Sequence, residues 1–197
     1  MQEMTSRSRT GRTADIGPTT RQRILTIAAD LIATRTYAGT SMADIAERLG
    51  TSKAALYYHF KAKEDILDEL LAEPAATLTT LAERAAQTRP RAEPAELLGG
   101  LIDLFAGSKT AAALFGSDAS ALADYVRRHN PEQKISQILD ALAGPRASTA
   151  SRIRARAALA AAKDGTATTL AIDGRVSPQT HAEILATALR ALGDASG

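Results

Sequence analysis

Residues 41–60 constrain the fold of this chain more than any other stretch, because they have the pattern of two short helices joined by a tight turn. Apolar residues at positions 42, 45, 46 and 49 repeat with the spacing of one buried helix face. Gly50 follows directly, and glycine readily adopts the left-handed conformation that ends a helix. Ser41 can cap the first helix, and Thr51 or Ser52 the second. The stretch therefore predicts a helix-turn-helix, with an ordinary helical hairpin as the simpler alternative.

The second of these helices has one apolar side and one polar side. Leu56 and Phe60, one turn apart, supply the predicted buried contacts. Small alanines on the other side let a helix approach base edges, a lysine can bond guanine or phosphate, and phenol and imidazole groups reach phosphate oxygens. This polar side consists of Lys53, Ala54, Ala55, Tyr57, Tyr58 and His59. Such a surface suits the DNA major groove.

The flanking residues extend the pattern from about residue 20 to 71. They include Gly39-Thr40-Ser41-Met42, Leu49-Gly50, Leu56-Tyr57-Tyr58-His59-Phe60 and the following Lys61, Lys63-Glu64-Asp65 and Ile66-Leu67. Taken whole, this combination strongly resembles the TetR family of transcriptional regulators. The resemblance implies an all-α fold, in which an amino-terminal helix-turn-helix domain binds DNA and a carboxyl-terminal helical domain binds a ligand and dimerises.

The resemblance also implies which residues contact DNA. In the family, the position of Thr40 commonly contacts a phosphate, although the same hydroxyl can serve as a simple cap, and the second lysine after the aromatic motif, here Lys63, grips another phosphate. Arg21 and Arg23, at the start of the first helix, are candidates for further backbone contacts. We therefore expect DNA contacts from Thr40, Ser41, Thr51, Ser52, Lys53, Ala54, Ala55, Tyr57, Tyr58, His59, Lys61 and Lys63.

Composition narrows the class of protein. The chain has no cysteine, which fits a reducing cytoplasm, and neither an apolar membrane span nor a signal peptide is recognisable. Residues 1–63 hold 10 Lys and Arg against 5 Asp and Glu, a surplus of +5, whereas the remainder carries −3. This asymmetry suggests a polyanion partner at one end. No catalytic motif, metal-ligand spacing or cofactor motif occurs, so we expect neither an enzyme nor a metal or cofactor site.

The chain divides into three predicted parts. Residues 1–17 form a basic leader without apolar periodicity, interpreted as disordered, or alternatively as an arm that contacts DNA. Residues 18–71 form the helix-turn-helix domain, and residues 72–197 the regulatory and dimerisation domain. Pro74 interrupts a helical stripe, so we expect a kink or break there, which is either a hinge or a plain boundary between helices.

Two further sets of residues follow from resemblance to the family. A small-molecule pocket is expected among the carboxyl-terminal helices, with Phe105 and Phe115 as walls and Tyr125 and His129 as polar groups, unless these are ordinary core and surface residues. The last two helices are expected to form a four-helix interface with a second subunit, unless their apolar face completes the subunit's own core. The expected interface residues are Ala155, Ala158, Leu159, Ala162, Ile184, Leu185, Ala188 and Leu189.

The sequence thus predicts a cytoplasmic, dimeric repressor that a small-molecule ligand releases from an inverted-repeat DNA operator. The alternative is a helix-turn-helix protein that binds DNA constitutively or through a protein partner, without a small ligand. The operator, the regulated genes and the ligand are not encoded in any recognisable pattern.

Overall fold

The computed structural model describes residues 19–87, 92–108, 110–112 and 123–193, which form helices and no strand. The predicted all-α class is confirmed. The helices are α1 Thr20–Arg35, α2 Met42–Leu49, α3 Lys53–His59, α4 Lys63–Leu70, α5 Ala72–Ala86, α6 Pro94–Gly107, α7 Ala123–His129, α8 Pro131–Ala143, α9 Thr149–Asp173 and α10 Pro178–Leu192.

The amino-terminal helices α1, α2 and α3 pack around a small core of their own, which we call the head. Its centre consists of side chains that are almost wholly buried: Ile24, Ala28, Ile45, Leu56 and Phe60. The spacing of the first two, one turn apart on α1, is the periodicity that the sequence displays. The core fixes the angle between α2 and α3 and therefore the direction of the outer face of α3.

Helix α4 joins the head to the rest of the molecule. Its neighbouring residues Ile66 and Leu67 are both buried, but Ile66 belongs to the head core and Leu67 to the core of the carboxyl-terminal helices, which we call the body. The helix stops at Leu71, whose backbone (φ −99°, ψ 0°) is not helical enough to continue it. The expected break therefore lies three residues before Pro74, which occupies the first turn of α5, where a missing N–H is tolerated.

The body is built from α5, α6, α8, α9 and α10. Helix α6 supplies its most buried side chains, including Leu98, Leu101 and Ile102, and the small residues of α9 allow α10 to lie close against it. Gly165 illustrates the closeness, because a methyl group there would lie 3.3 Å from Ile184. No helix within the described ranges combines the length and apolarity needed to cross a membrane.

The expected dimer residues require a correction. Five of the eight are buried inside the subunit, because their side chains fill the contact that α9 and α10 make with each other and with α6: Ala155, Ala158, Ala162, Ile184 and Ala188. They cannot contact a second subunit while this packing persists. The alternative weighed for this face, that it completes the subunit's own core, is correct for these five, whereas Leu159, Leu185 and Leu189 are only partly buried.

The start of α8 has no side-chain cap. Asn130 precedes Pro131, but its backbone is left-handed (φ 48°, ψ 48°) and its side chain makes no cap bond to the helix. Its amide nitrogen instead donates to the side chain of Gln133, at 2.7 Å. The basic leader and Phe115 lie outside the described residues.

Candidate nucleic-acid interface and central cavity

The turn between α2 and α3 has the local structure that its sequence predicts. Ser41 and Asp44 cap α2 reciprocally: the Asp44 amide donates to the Ser41 hydroxyl at 3.2 Å, and the Ser41 amide to the Asp44 carboxylate at 2.8 Å. Bonds from Ser41, above all that from its hydroxyl, lower the pKa of Asp44 below its usual value. Gly50 ends the helix in the left-handed region (φ 73°, ψ 35°), and Ser52 caps α3 by accepting from the Ala55 amide at 3.2 Å.

Helix α3 is fixed on one side and free on the other. Leu56 and Phe60 are buried at 0% and 2% exposure, so the helix cannot rotate about its axis without opening the head core. Exposed residues cover the opposite face, with Tyr57 at 48% and Tyr58 at 87%, next to Lys53, Ala54 and Ala55. His59 is half-buried, and its ring meets that of Tyr58 edge to face at 5.4 Å. Large phenol groups that are exposed to solvent on a fixed helix are available to contact a partner.

The expected phosphate contact of Thr40 is not available in this structure. Thr40 is 1% exposed, and its hydroxyl donates to the carbonyl oxygen of Thr36 at 2.9 Å. It belongs to the loop at residues 36–41, which we call the α1–α2 loop. Thr36 has a positive φ of 69°, which is unusual for a β-branched residue. A side chain at Gly39 would lie 2.2 Å from the Arg35 carbonyl oxygen, so the loop requires glycine there.

Lys63, expected to bind a phosphate, is directed into the protein. Its ammonium group donates to the carbonyl oxygens of Tyr37 and Thr40, at 2.9 and 3.0 Å, and lies 3.9 Å from the centre of the Tyr37 ring. The Tyr37 hydroxyl in turn contacts Glu64 at 3.4 Å. The ammonium is therefore bonded to the α1–α2 loop, which it ties to the start of α4. Lys61, two residues earlier, is exposed.

Arg21, like Lys63, makes its contacts within the protein. Its guanidinium pairs with Glu69 on α4, donates to the carbonyl oxygen of His59 at 2.7 Å, and stacks on the Phe60 ring at 4.1 Å. It thus joins the first turn of α1 to the end of α3 and to α4. Arg23 is exposed, and so is Arg48 in the last turn of α2, a residue that the sequence interpretation did not include. Its position as a basic residue in the last turn before Gly50 is the sequence signal that could have identified Arg48 as a candidate.

A polar contact joins head and body. Asp68 on α4 pairs with Arg128 of α7, and its second oxygen lies 3.4 Å from the Nε2 atom of His129. The rings of Tyr125 and His129 stack with their centres 4.3 Å apart. We call Asp68, Arg128 and His129 the junction. The pairing of residues 60 positions apart leaves no local pattern in the sequence, so no sequence signal identifies Asp68.

Three of the four expected ligand-binding residues line one cavity, which lies between α5, α6, α7 and α8 and which we call the central cavity. Phe105 forms part of its apolar wall, while Tyr125 and His129 reach it from α7. Burial raises the pKa of Tyr125 to about 12, so its phenol stays neutral at physiological pH. Lys134 on α8 also lines the cavity, although the sequence interpretation did not single it out. Its position one turn after Pro131 was the only available signal.

Comparison with known proteins agrees with this arrangement. Residues 24–70 match the protein family described as "Bacterial regulatory proteins, tetR family". Over 51 residues the chain is 39% identical to the HTH-type transcriptional regulator AcrR of Shigella flexneri and 43% identical to the HTH-type transcriptional repressor KstR2 of Rhodococcus jostii (strain RHA1). Each match covers 26% of this chain, and it spans 24% of AcrR and 25% of KstR2.

A solved structure extends the likeness to the whole fold. Mycobacterium smegmatis AmtR superposes with a TM-score of 0.64 and 26% sequence identity, over 94% of this chain and 92% of AmtR. The fold and the exposed α3 define a helix-turn-helix protein with a carboxyl-terminal helical domain. The helix-turn-helix part of the chain is similar to the TetR family of bacterial regulatory proteins, and the fold of the whole chain is similar to that of AmtR. The curated relatives of this chain are transcriptional regulators and not enzymes, in agreement with the expectation from the sequence.

Proposed function

We propose that the protein regulates transcription by inserting α3 into the major groove of an operator. The observation that carries this proposal is the division of α3 into a face locked by Leu56 and Phe60 and a face that exposes Lys53, Ala54 and Tyr57. The proposed DNA contacts are the expected set without Thr40 and Lys63, whose polar groups are bonded inside the head. The description of KstR2 as a repressor supports repression as the output, and a site on DNA in a bacterium implies the cytoplasm.

The corresponding experiment measures binding of the full chain to the DNA that flanks its own gene, by fluorescence anisotropy over a range of salt concentrations. We expect tighter binding to one flanking segment than to shuffled DNA of the same composition. Lys53→Met should weaken binding and lower the salt slope by about 1, as expected for loss of one base or phosphate contact. Arg146→Met, which removes an exposed positive charge between α8 and α9, serves as the control and should leave the slope unchanged. Equal affinity for flanking and shuffled DNA would argue against sequence-specific regulation.

We further propose that the protein acts as a homodimer through the outer faces of α9 and α10. Ile153 and Ile172 on α9 are 63% and 76% exposed, which is unusual for isoleucine, and Leu185 and Leu189 on α10 are only partly covered. A two-fold dimer sets two recognition helices about 34–36 Å apart and reads an inverted repeat. Sedimentation of the wild type and of Ile153→Glu checks this proposal: the substitution should favour the monomer.

Release of the operator by a small molecule is the third proposal, and the central cavity supports it. A protein that binds DNA constitutively or with a protein partner remains the alternative, and thermal melting against panels of metabolites separates the two. A ligand that binds only the folded state raises the melting temperature in proportion to the logarithm of its concentration. The alternative predicts no such increase with any small molecule.

A further inference from the structure

The lining of the central cavity combines apolar side chains with a few polar ones. Leu78, Leu101, Phe105 and Ile135 form its apolar part, and the cavity volume is about 20 Å³, which is room for roughly one water molecule. The space is narrow, so a ligand has to part these side chains in order to enter. A lining of this kind favours an elongated apolar body, whose burial contributes roughly 25 cal/mol for each Å² removed from water.

Among the described residues, the lining includes the cation Lys134 and no carboxylate. Lys134 is partly exposed, and in the described part of the chain its ammonium group has neither an ion-pair nor a hydrogen-bond partner. The nearby carboxylate of Asp68 is paired with Arg128, so it does not neutralise Lys134. The first turn of α8, which lacks a side-chain cap, adds partial positive charge of the same sign.

We infer that the central cavity binds an amphipathic monoanion, with its hydrocarbon body against Leu101 and Phe105 and its carboxylate between Lys134 and His129. This inference rests on the proposed function, since it names the class of ligand that the regulator senses. Charge complementarity decides the class: a neutral apolar ligand leaves the ammonium of Lys134 unpaired, whereas a carboxylate gains a charge-assisted bond. A dianion gains no second lysine or arginine among the described residues that line the cavity.

Such a ligand acts at the junction as well as in the cavity. The Nε2 atom of His129 lies 3.4 Å from Asp68, so a carboxylate that attracts the His129 ring competes with Asp68 for it. Asp68 lies on α4, five residues after Lys63, which holds the α1–α2 loop. Occupation of the cavity is thereby linked to the element that positions the head.

Isothermal titration of the purified full chain tests the ligand class, with octanoate and decanoate as probes and the alcohols of equal chain length as neutral partners. We expect each carboxylate to bind about tenfold more tightly than its alcohol. Lys134→Met should remove this preference while leaving the affinity for the alcohol unchanged, and Lys134→Arg should retain it. Equal affinities for carboxylate and alcohol, absence of carboxylate binding, or a preference that survives Lys134→Met would each overturn the inference.

A second pair of variants locates the binding. Ala75 lines the cavity and Ala76 beside it is exposed. Ala75→Phe should abolish binding of carboxylate and alcohol alike, whereas Ala76→Phe should not alter it; binding that persists in Ala75→Phe is attachment to the surface and contradicts the inference. Circular dichroism melting confirms that each variant is folded. If the wild-type chain binds octanoate as expected but shows no sequence-specific DNA binding, only the proposed function is refuted. If it binds DNA as expected but shows no preference for carboxylates, only the ligand class is refuted.

Discussion

The charge of Lys63 is used inside the head. Thr36 holds a positive φ of 69°, and for a β-branched residue such a conformation costs about 1–3 kcal/mol. The α1–α2 loop retains this conformation because its carbonyl oxygens at Tyr37 and Thr40 both accept from Lys63. We therefore interpret Lys63 as a residue that positions the loop and the start of α2, in place of the expected phosphate contact.

Lys63→Met keeps the length of the side chain and removes its donors. We expect DNA affinity to fall by about tenfold, because the loop relaxes and the recognition helix is less well positioned. The dependence of affinity on salt should keep its slope, since no phosphate contact is lost. Lys61→Met, at an exposed neighbouring position, is the matched control, and there the slope should fall by about 1. A reduced salt slope in Lys63→Met would instead support Lys63 as a phosphate contact.

Tyr125 gives a second prediction at this scale. Burial raises its pKa in the folded protein to about 12, whereas a tyrosine in the unfolded chain ionises near pH 10. The unfolded state therefore loses the proton first, and stability present below about pH 10 is lost as the pH rises to about 12. Urea unfolding should show a decrease of roughly 1–2 kcal/mol over this interval that is smaller in Tyr125→Phe. Tyr58→Phe, at an exposed position, controls for the loss of a phenol.

At the scale of helices, the turn between α2 and α3 depends on one backbone conformation. Gly50 has φ 73°, and nothing lies within 4 Å of the place where a side chain would begin. Steric crowding therefore does not explain why this position is glycine. The left-handed backbone conformation explains it, because that conformation is strained for residues with a Cβ.

Gly50→Ala should accordingly lower the free energy of unfolding by about 1 kcal/mol, measured by urea titration. Gly107 provides the matched control: it also has open space around it, but it ends α6 without a positive φ. Gly107→Ala should be neutral or slightly stabilising, since alanine favours helices. Equal losses of unfolding free energy in the two variants would show that the left-handed conformation at Gly50 does not cause the destabilisation.

The helices themselves were predictable, and the reason is local. Caps such as Ser41 and Ser177, and the apolar repeat that leads to Gly50, act within one or two turns of chain. What lies across an apolar face is decided by distant residues. An apolar face looks the same whether it meets a partner subunit or the subunit's own core, so the sequence predicts an interface for Ala158 and Ala188, which fill the contacts among α9, α10 and α6. Likewise, the sequence displays the charge of Lys63 but not its acceptors.

For the molecule as a whole, α4 is the helix that contacts both the head and the body. It contributes Ile66 to the head core and Leu67 to the body core, and its polar side carries Asp68 to the junction. A ligand changes DNA affinity only if it binds the DNA-competent and DNA-incompetent arrangements with different strengths. The junction supplies a contact that a ligand at His129 alters directly.

Asp68→Asn tests this coupling, because it keeps the shape of the side chain and removes its charge. Loss of a partly exposed ion pair should lower the free energy of unfolding by at most about 1 kcal/mol, so the protein stays folded. Octanoate should still bind, but its effect on DNA affinity should shrink. In this variant His129 has no carboxylate at position 68 to contact, so octanoate has no such contact to displace. The measurement is DNA anisotropy with and without octanoate in both proteins.

Asp140→Asn is the control for this experiment, because Asp140 pairs with Arg152 at 3.4 Å between α8 and α9, away from α4, with both side chains 64% exposed. It removes the same charge and should leave the effect of octanoate unchanged. If Asp68→Asn retains the full effect, the junction does not transmit binding, and the apolar contact of Leu67 with the body core becomes the remaining route through α4. If both variants lose it, the response reflects the net charge of the body and not a defined contact.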